Sequence, residues 1–188
     1  MNAVTNAVAR HLRGYFEQTD PAAAKLTFLG ADSLTVLRFG PDANRTVTYA
    51  TVGCSASPMQ DPADFAPDPE EGLRAELVLP VRGGLDAVLR PLAMLAAAPA
   101  IEGLILQPGA LLDFNSPLWE GARFTAFLLV DSPVPDVDAA GRAVSLLQPV
   151  PITPNELALA RAKGTAALQE AWRAQGADLA DPHRASAV

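Results

Sequence analysis

The sequence contains few of the residues on which enzyme chemistry depends. Its 188 residues include one cysteine, Cys54, and two histidines, His11 and His183. A single cysteine excludes an internal disulfide and indicates a reducing compartment. The histidines, the cysteine and the carboxylates lack metal-site spacing, and neither histidine is placed to serve Cys54 as a base. Phosphate-binding GxGxxG and Walker-type loops are absent. The sequence therefore predicts no catalytic residue, no metal site and no cofactor, and we expect a protein that is not an enzyme.

Positive charge is also scarce. The chain has 14 Lys and Arg residues against 21 Asp and Glu residues, which gives a net charge of −7. Binding to phosphates requires a basic surface, so this balance argues against nucleic acid as a direct ligand. An acidic surface instead favours a basic protein partner, although the same charge also serves solubility.

No apolar run is suited to crossing a membrane. The most apolar window, residues 85–106, contains Asp86, Arg90, Glu102 and two prolines, which are costly in lipid. The N-terminal residues have neither the apolar core nor the cleavage site of a signal peptide. We expect a cytoplasmic protein that does not contact the membrane.

The apolar residues that are present, 49% of the chain, are sufficient for the core of one domain. Helical spacing predicts helices at residues 3–18, 85–99 and 154–175. Alternation predicts strands at residues 33–40, 45–53, 73–81, 123–132 and 143–152, the first two forming a hairpin. This order predicts an α/β (α+β) fold, in which a mixed β-sheet is packed with helices.

The domain is predicted to cover residues 1–176, and no linker divides it. Residues 177–188 follow Gly176 and have no apolar face. We expect them to form a flexible C-terminal tail.

Residues 145–164, "SLLQPVPITPNELALARAKG", join the last strand to the last helix. Pro149 and Pro151 lack backbone donors, so the strand should end there or lie at a sheet edge. Thr153 and Glu156 have the spacing of a capping box, with Pro154 at the first helical position. The junction therefore predicts a strand end followed by a helix start.

Beyond this start, apolar residues at helical spacing predict the buried stripe of the last helix. They are Leu157, Ala160, Gly164, Leu168 and Trp172. We expect Gly164 to allow another backbone to approach closely, and Trp172 to be a core residue.

Several motifs occur in an order that is similar to one known family. "TYATVGCSASP" follows the hairpin, "RAELVLPVR" and "PLWEGARFTAFLLV" follow in turn, and "PITPNE" precedes the terminal amphipathic helix. Over residues 25–175 this order resembles the suppressor of fused (SUFU) domain family. The resemblance implies a SUFU-like single domain of the bacterial type that binds protein partners.

Bacterial SUFU-like proteins are often associated with polymorphic toxin systems as immunity proteins. The resemblance therefore implies an immunity or antitoxin function, in which the protein neutralises a cognate toxin by binding to it. The net charge of −7 suits a basic toxin such as a nuclease, because complementary charge speeds capture.

Residues 55–72 form the longest predicted loop, which is rich in proline and has no Lys or Arg. Its acidic residues are Asp61, Asp64, Asp68, Glu70 and Glu71. The loop is a candidate surface for a basic partner, and its repelling charges are equally consistent with a solvated loop.

A second candidate surface is the segment "DFNSPLWEG". It places Phe114 and Trp119 beside Asp113 and Glu120. Aromatic residues rimmed by acids are typical of binding hot spots, and the same residues also suit a loop packed against the core.

Two other functions remain open. One is a scaffold module that binds an extended peptide at an exposed sheet edge. The other is a small-molecule-binding protein, or a hydrolase that uses Cys54 or His11. The sequence names neither the partner nor the oligomeric state.

Overall fold

The computed structural model describes residues 2–27, 33–60 and 71–188. The elements along the chain are α1 (Ala3–Tyr15), β1 (Ala22–Leu26), β2 (Leu34–Phe39), β3 (Thr46–Val52), β4 (Ala75–Arg82), α2 (Leu89–Glu102), β5 (Leu111–Asp113), β6 (Ala126–Asp131), β7 (Val137–Asp138), β8 (Ala143–Ile152), α3 (Pro154–Lys163) and α4 (Thr165–Gln175). None of the helices in these ranges is long and apolar enough to span a membrane.

Within the described ranges the strands form one sheet, in the order β1-β2-β3-β4-β8-β6-β5, with β7 beside β8. The neighbouring strands are antiparallel except for β4 and β8, which are parallel. Helices cover both faces of this mixed sheet. The predicted fold class is thereby confirmed.

Alternation along the strands assigns the helices to the two faces. Leu77 and Leu79 of β4 pack in one cluster with Leu92 of α2, whereas Val78 packs in another with Leu12 of α1. Successive strand side chains point to opposite faces, so α1 and α2 lie on opposite sides of the sheet. α3 and α4 pack on β6 and β8, on the side of α1.

The predicted hairpin is confirmed as β2 and β3. The first helix ends at Tyr15, three residues before the predicted end. Strand β1 was not predicted, because its sequence, Ala-Ala-Ala-Lys-Leu, contains no β-branched or aromatic residue and carries no strand signal. It pairs only with β2, at one end of the sheet.

The predicted single helix at residues 154–175 is wrong, because Gly164 divides it into α3 and α4. Gly164 has φ 87° and ψ 159°, a conformation that glycine adopts readily and other residues avoid. A Cβ atom built there would meet nothing within 4 Å. The expected close backbone approach is therefore also wrong, and Gly164 serves to bend the chain.

The prolines of β8 do not end the strand, which continues to Ile152. Pro149 and Pro151 stand opposite Leu129 and Phe127 of β6. On the other side, the β4 ladder stops at Leu147, so β8 is locally an edge at the prolines. Their missing donors cost nothing there. Of the two predicted alternatives, a strand end or a sheet edge, the edge is the one that occurs, and β8 has the bounds predicted for this strand.

Residues 177–188, called the C-terminal segment below, lie against the domain. The backbone N–H of Arg82, at the end of β4, donates to the carbonyl oxygen of Ala180 at 2.7 Å. Arg184 is buried, with 6% of its surface exposed, and its Nη2 donates to the carbonyl oxygen of Pro151 at 2.7 Å. This corrects the expectation of a flexible tail, because the buried Arg184 and the apolar contacts of Ala177, Leu179 and Ala187 hold the segment against the domain.

The guanidinium of Arg184 is paired with the carboxylate of Glu156, which is fully buried. Arg184 binds it in a bidentate manner, with Nη1 at 2.6 Å from Oε1 and Nη2 at 3.0 Å from Oε2. Oε1 also accepts from the indole of Trp172 and the amide of Ala187, and Oε2 accepts from the amide of Thr153. The capping box is thereby confirmed, and its glutamate also holds the C-terminal segment.

These contacts change the acidity of Glu156. Burial by itself raises the pKa of the carboxyl, but the Arg184 and Thr153 hydrogen bonds and the Arg184 charge outweigh it. The pKa of Glu156 is therefore below its ordinary value.

Replacing Arg184 with alanine is expected to destabilise the domain by about 3–5 kcal/mol, because the Glu156 carboxylate would remain buried without its cation. Urea unfolding at neutral pH measures the change. Arg173→Ala is the matched control, since Arg173 pairs with Glu170 at the surface and an exposed pair contributes about 1 kcal/mol or less. Equal losses in the two variants would contradict the anchoring role of Arg184.

The loss of stability caused by Arg184→Ala should be smaller in acid than at neutral pH. Because folding lowers the pKa of Glu156, its contribution is present above the unfolded pKa and is lost as the pH falls through the folded pKa. In the variant, burial is no longer opposed by Arg184 and favours the protonated carboxyl. Protonation then relieves the buried charge, so the difference in stability from the original protein should narrow as the pH falls. Urea midpoints measured from neutral pH into acid test this, and parallel profiles would contradict it.

Candidate functional site

A groove lies between helix α2 and strand β5, which is the last strand of the sheet. Leu112 and Phe114 face the α2 side of the sheet, whereas Leu111 and Asp113 face α3. The half-buried ring of Phe114 stands edge-on to Phe127 of the core, with centroids 5.9 Å apart. This ring and Leu112 form one wall of the groove.

Helix α2 forms the opposite wall. Met94 and Ile101 are 38% and 50% exposed and lie seven residues apart, on one side of the helix. Two cavities of about 510 and 480 Å³ share Arg90, Met94 and Phe114. We call the two together the α2–β5 groove.

The rim of the groove is charged, mainly with one sign. Glu120 borders one cavity, and Glu102 and Asp113 border the other. Arg90 borders both, and Asp113 is paired with Arg161 of α3 at 3.1 Å. The groove therefore combines apolar walls with a predominantly acidic rim.

A second cavity region, of about 340 Å³, adjoins Cys54 at the end of β3. The turn that carries Cys54 is held by the fully buried carboxylate of Glu76. This carboxylate accepts from the hydroxyl of Thr51 at 2.6 Å, the amide of Gly53 at 2.7 Å and the hydroxyl of Ser55 at 2.7 Å. Burial, and then the charge of Glu76, raise the pKa of the Cys54 thiol well above its ordinary value. The thiol is therefore kept protonated rather than activated.

His11 and Cys54 do not form a catalytic pair. Cys54 packs with the core cluster on the α2 side of the sheet, whereas His11 lies on α1, on the other side. The Nε2 atom of His11 is 2.9 Å from the carbonyl oxygen of Pro135. In the described part of the chain, no group of three or more His, Cys, Asp or Glu residues could hold a metal ion.

Both the sequence and the fold are similar to those of known proteins. A family model described as Suppressor of fused protein (SUFU) matches residues 30–185. The chain belongs to the suppressor of fused family. The resemblance inferred from the order of the motifs is confirmed, and the match extends ten residues beyond the predicted end at 175, into the C-terminal segment.

Solved structures of SUFU proteins share the fold. A SUFU homolog from Neisseria gonorrhoeae is 21% identical, with a TM-score of 0.74, over 98% of this chain and 97% of that one. The Sufu–Fu complex matches with a TM-score of 0.74 at 15% identity, over 98% and 92% of the two chains. Drosophila Suppressor of Fused matches with a TM-score of 0.70 at 15% identity, over 98% of this chain and 51% of that one. No curated protein matches the sequence.

One of the two predicted surfaces of this SUFU domain lies in the groove. Phe114, Trp119 and Glu120 border the larger cavity, and Asp113 borders the smaller one with Phe114. Trp119 is only 8% exposed, so it forms a wall rather than a projecting side chain. In the other predicted surface, Asp61, Asp64, Asp68 and Glu70 lie outside the described residues, whereas Glu71 is described and exposed.

Sequence reasoning missed Met94 and Ile101, because the helix predicted at residues 85–99 ends before Ile101 and its pattern does not show which side is exposed. The available signal was the apolar character of the helix on all sides, including Leu92, Leu95 and Ala98. A surface helix with one buried face needs only one apolar stripe. The surplus apolar residues of α2 are those that border the groove.

Cys54 is expected to react slowly with a thiol reagent such as DTNB in the folded protein. At any pH below the pKa of the thiol, each unit by which that pKa rises lowers the fraction of reactive thiolate about tenfold. The rate should therefore be about tenfold or more lower than in the same protein unfolded in urea, measured by absorbance at the same pH. Equal rates in the two states would show that the thiol is neither shielded nor held protonated.

Proposed function

We propose that this SUFU domain is a non-catalytic protein-binding domain and that its partner binds in the α2–β5 groove. The observation that carries the proposal is the exposure of Met94 and Ile101 opposite the half-buried side chains of Leu112 and Phe114. Single exposed apolar residues are normal on protein surfaces, but a cluster in a concavity is typical of an interaction site.

The charge around the groove indicates the kind of partner. Glu102 and Glu120 border it with Arg90, whereas Asp113 is paired with Arg161, and the net charge of the chain is −7. A second copy of the chain would be repelled, whereas a basic partner would be attracted and oriented. We therefore propose a basic protein with an apolar segment that enters the groove.

The relationship to other SUFU proteins supports a binding function. One structure with the same fold is that of the Sufu–Fu complex, so in that protein the fold is found with a protein partner. The transfer to this chain is an analogy of fold, and the residues of the groove carry the specific proposal.

A narrower function is an immunity or antitoxin activity. In this proposal the partner is a toxin encoded beside this chain, which the domain neutralises by covering its active surface. A basic nuclease would suit the acidic rim, because charge complementarity speeds capture before the toxin acts.

A second candidate function, a peptide-binding scaffold, is favoured by the free edge of β5. Alternate residues of an antiparallel strand direct their backbone groups away from the partner strand. Since Phe114 pairs with Thr125, the outward residues are Leu111 and Asp113. In the described part of the chain, no backbone group hydrogen-bonds to the outward N–H and C=O groups of these two residues. An extended segment could add to this edge and place its alternate side chains in the groove.

Replacing Ile101 with glutamate is expected to weaken partner binding about tenfold or more, because an apolar contact is exchanged for an unpaired charge. The candidate partners are the proteins encoded in adjacent reading frames, co-expressed with the chain, and calorimetry on the purified complex measures the affinity. Tyr15→Glu is the matched control, since Tyr15 is 45% exposed on α1, away from the groove.

Three outcomes separate the proposals. Equal weakening by Ile101→Glu and Tyr15→Glu would overturn the groove as the binding site. A complex that gives no protection against toxicity would overturn the immunity function but not protein binding. Loss of biological activity in folded Cys54→Ala or His11→Ala variants would overturn the non-catalytic proposal.

A further inference from the structure

We propose that the C-terminal segment sets the shape of the α2–β5 groove, so that docking of the segment and binding of the partner are coupled. This inference rests on the proposed function of the groove. No residue of the segment lines the groove, and the effect passes through Arg184, Phe124 and Trp119. Arg184 is thus a positioning residue.

The first link joins Arg184 to Phe124. The guanidinium carbon of Arg184 lies 5.0 Å from the centroid of the Phe124 ring and 5.8 Å from that of Trp172. Arg184 is held in place by its bidentate contact with Glu156. A guanidinium fixed by a fork of two hydrogen bonds presents its flat face in one orientation, which an ammonium group cannot do. The position of the Phe124 ring therefore depends on an arginine in this place.

The second link joins Phe124 to Trp119. Their ring centroids are 5.7 Å apart and inclined at 58°. The loop between them is closed by two backbone bonds, from the amide of Leu118 to the carbonyl of Phe124 at 2.9 Å and from the amide of Ala122 to the carbonyl of Trp119 at 3.0 Å. The two rings are therefore parts of one compact loop and shift together.

The third link is the position of Trp119 between the groove and a small gap beside the C-terminal segment. On one side it borders the groove with Leu118 and Glu120. On the other it borders a small gap that Leu179 and Arg184 also line. Because packed interiors transmit displacement rather than absorb it, a shift of Arg184 moves the groove wall.

Coupling of this kind is reciprocal. If docking of the segment favours the groove shape that binds a partner, binding must favour docking of the segment by the same factor. Couplings between protein sites are typically about 5-fold to 150-fold in affinity. A partner that displaces Trp119 would conversely loosen the segment.

The free protein contains natural reporters for a test by NMR. Met94 borders the groove and Met59 is buried in the core, so ¹³C-methyl labels on methionine report both places. The indole N–H groups of Trp119 and Trp172 report the wall and the anchor. In Arg184→Lys, which keeps the positive charge beside Glu156, we expect the signals of Met94 and Trp119 to shift and that of Met59 to stay.

The control for this experiment is Arg173→Lys, on the exposed face of α4, which should move neither Met94 nor Trp119. A uniform loss of stability would leave the native signals of Met94 in place, so the shift separates positioning from stabilisation. If Arg184→Lys shifts Trp172 but leaves Trp119 and Met94 unchanged, the proposal is overturned.

The reverse direction needs no variant of Arg184. Trp119→Leu alters the groove wall and leaves the segment intact, so amide hydrogen exchange at Ala187 and Arg82 reports release of the segment. These two amides donate to Glu156 and Ala180. We expect exchange to rise about fivefold or more relative to Glu120→Gln, the neighbouring control. Unchanged exchange would overturn the coupling.

Both tests use the free protein, so they are independent of the partner. Shifts at Met94 in Arg184→Lys support the coupling even if Ile101→Glu leaves partner binding intact, which would overturn the proposed groove function alone. If the groove binds a partner, calorimetry with Arg184→Lys should show affinity about fivefold or more weaker. Unchanged affinity would overturn the coupling and leave the groove function standing.

Discussion

The buried carboxylate of Glu156 is the interaction on which one end of this domain depends. It accepts five hydrogen bonds, from the start of α3, from α4 and from the C-terminal segment. A carboxylate removed from water must be paired and fully hydrogen-bonded, or it destabilises the fold. Its partners are therefore required to be in place together, and the three parts of the chain, which also share an apolar cluster, become one unit. Glu76 acts in the same way on the turn that carries Cys54.

This arrangement explains how irregular backbone can border the proposed binding groove and still be well positioned. The strands β4 and β8 pair only over a short parallel ladder and then separate. The C-terminal segment fills the space and reaches the end of β4 through Arg82. The loop that carries Trp119 packs against the C-terminal segment through the ring of Phe124, which lies beside Arg184. The part of the groove wall that Trp119 forms is therefore supported by a polar anchor as well as by the apolar core.

Sequence reasoning succeeded where a local pattern has a single structural meaning. The hairpin, the capping box at Thr153 and the first helix are of this kind. It failed where a residue's meaning depends on distant chain. Glycine at position 164 is compatible with a continuous helix or with a break between two helices. The two prolines of β8 are compatible with the end of a strand or with a strand at the edge of the sheet. Which alternative occurs depends on the parts of the chain that pack beside these residues in the fold.

The sequence by itself determined the family, the mixed sheet with its helices and the start of α3, because periodicity, capping and motif order are local properties. It also identified Phe114 and Trp119 as candidates. Only the tertiary structure decided that Met94 and Ile101 line the same groove, because a helix that is apolar all round does not reveal which side the sheet covers. The place of Arg184 was likewise decided in three dimensions. A lone arginine in a polar tail has no local signal, and its burial follows from a carboxylate 28 residues away.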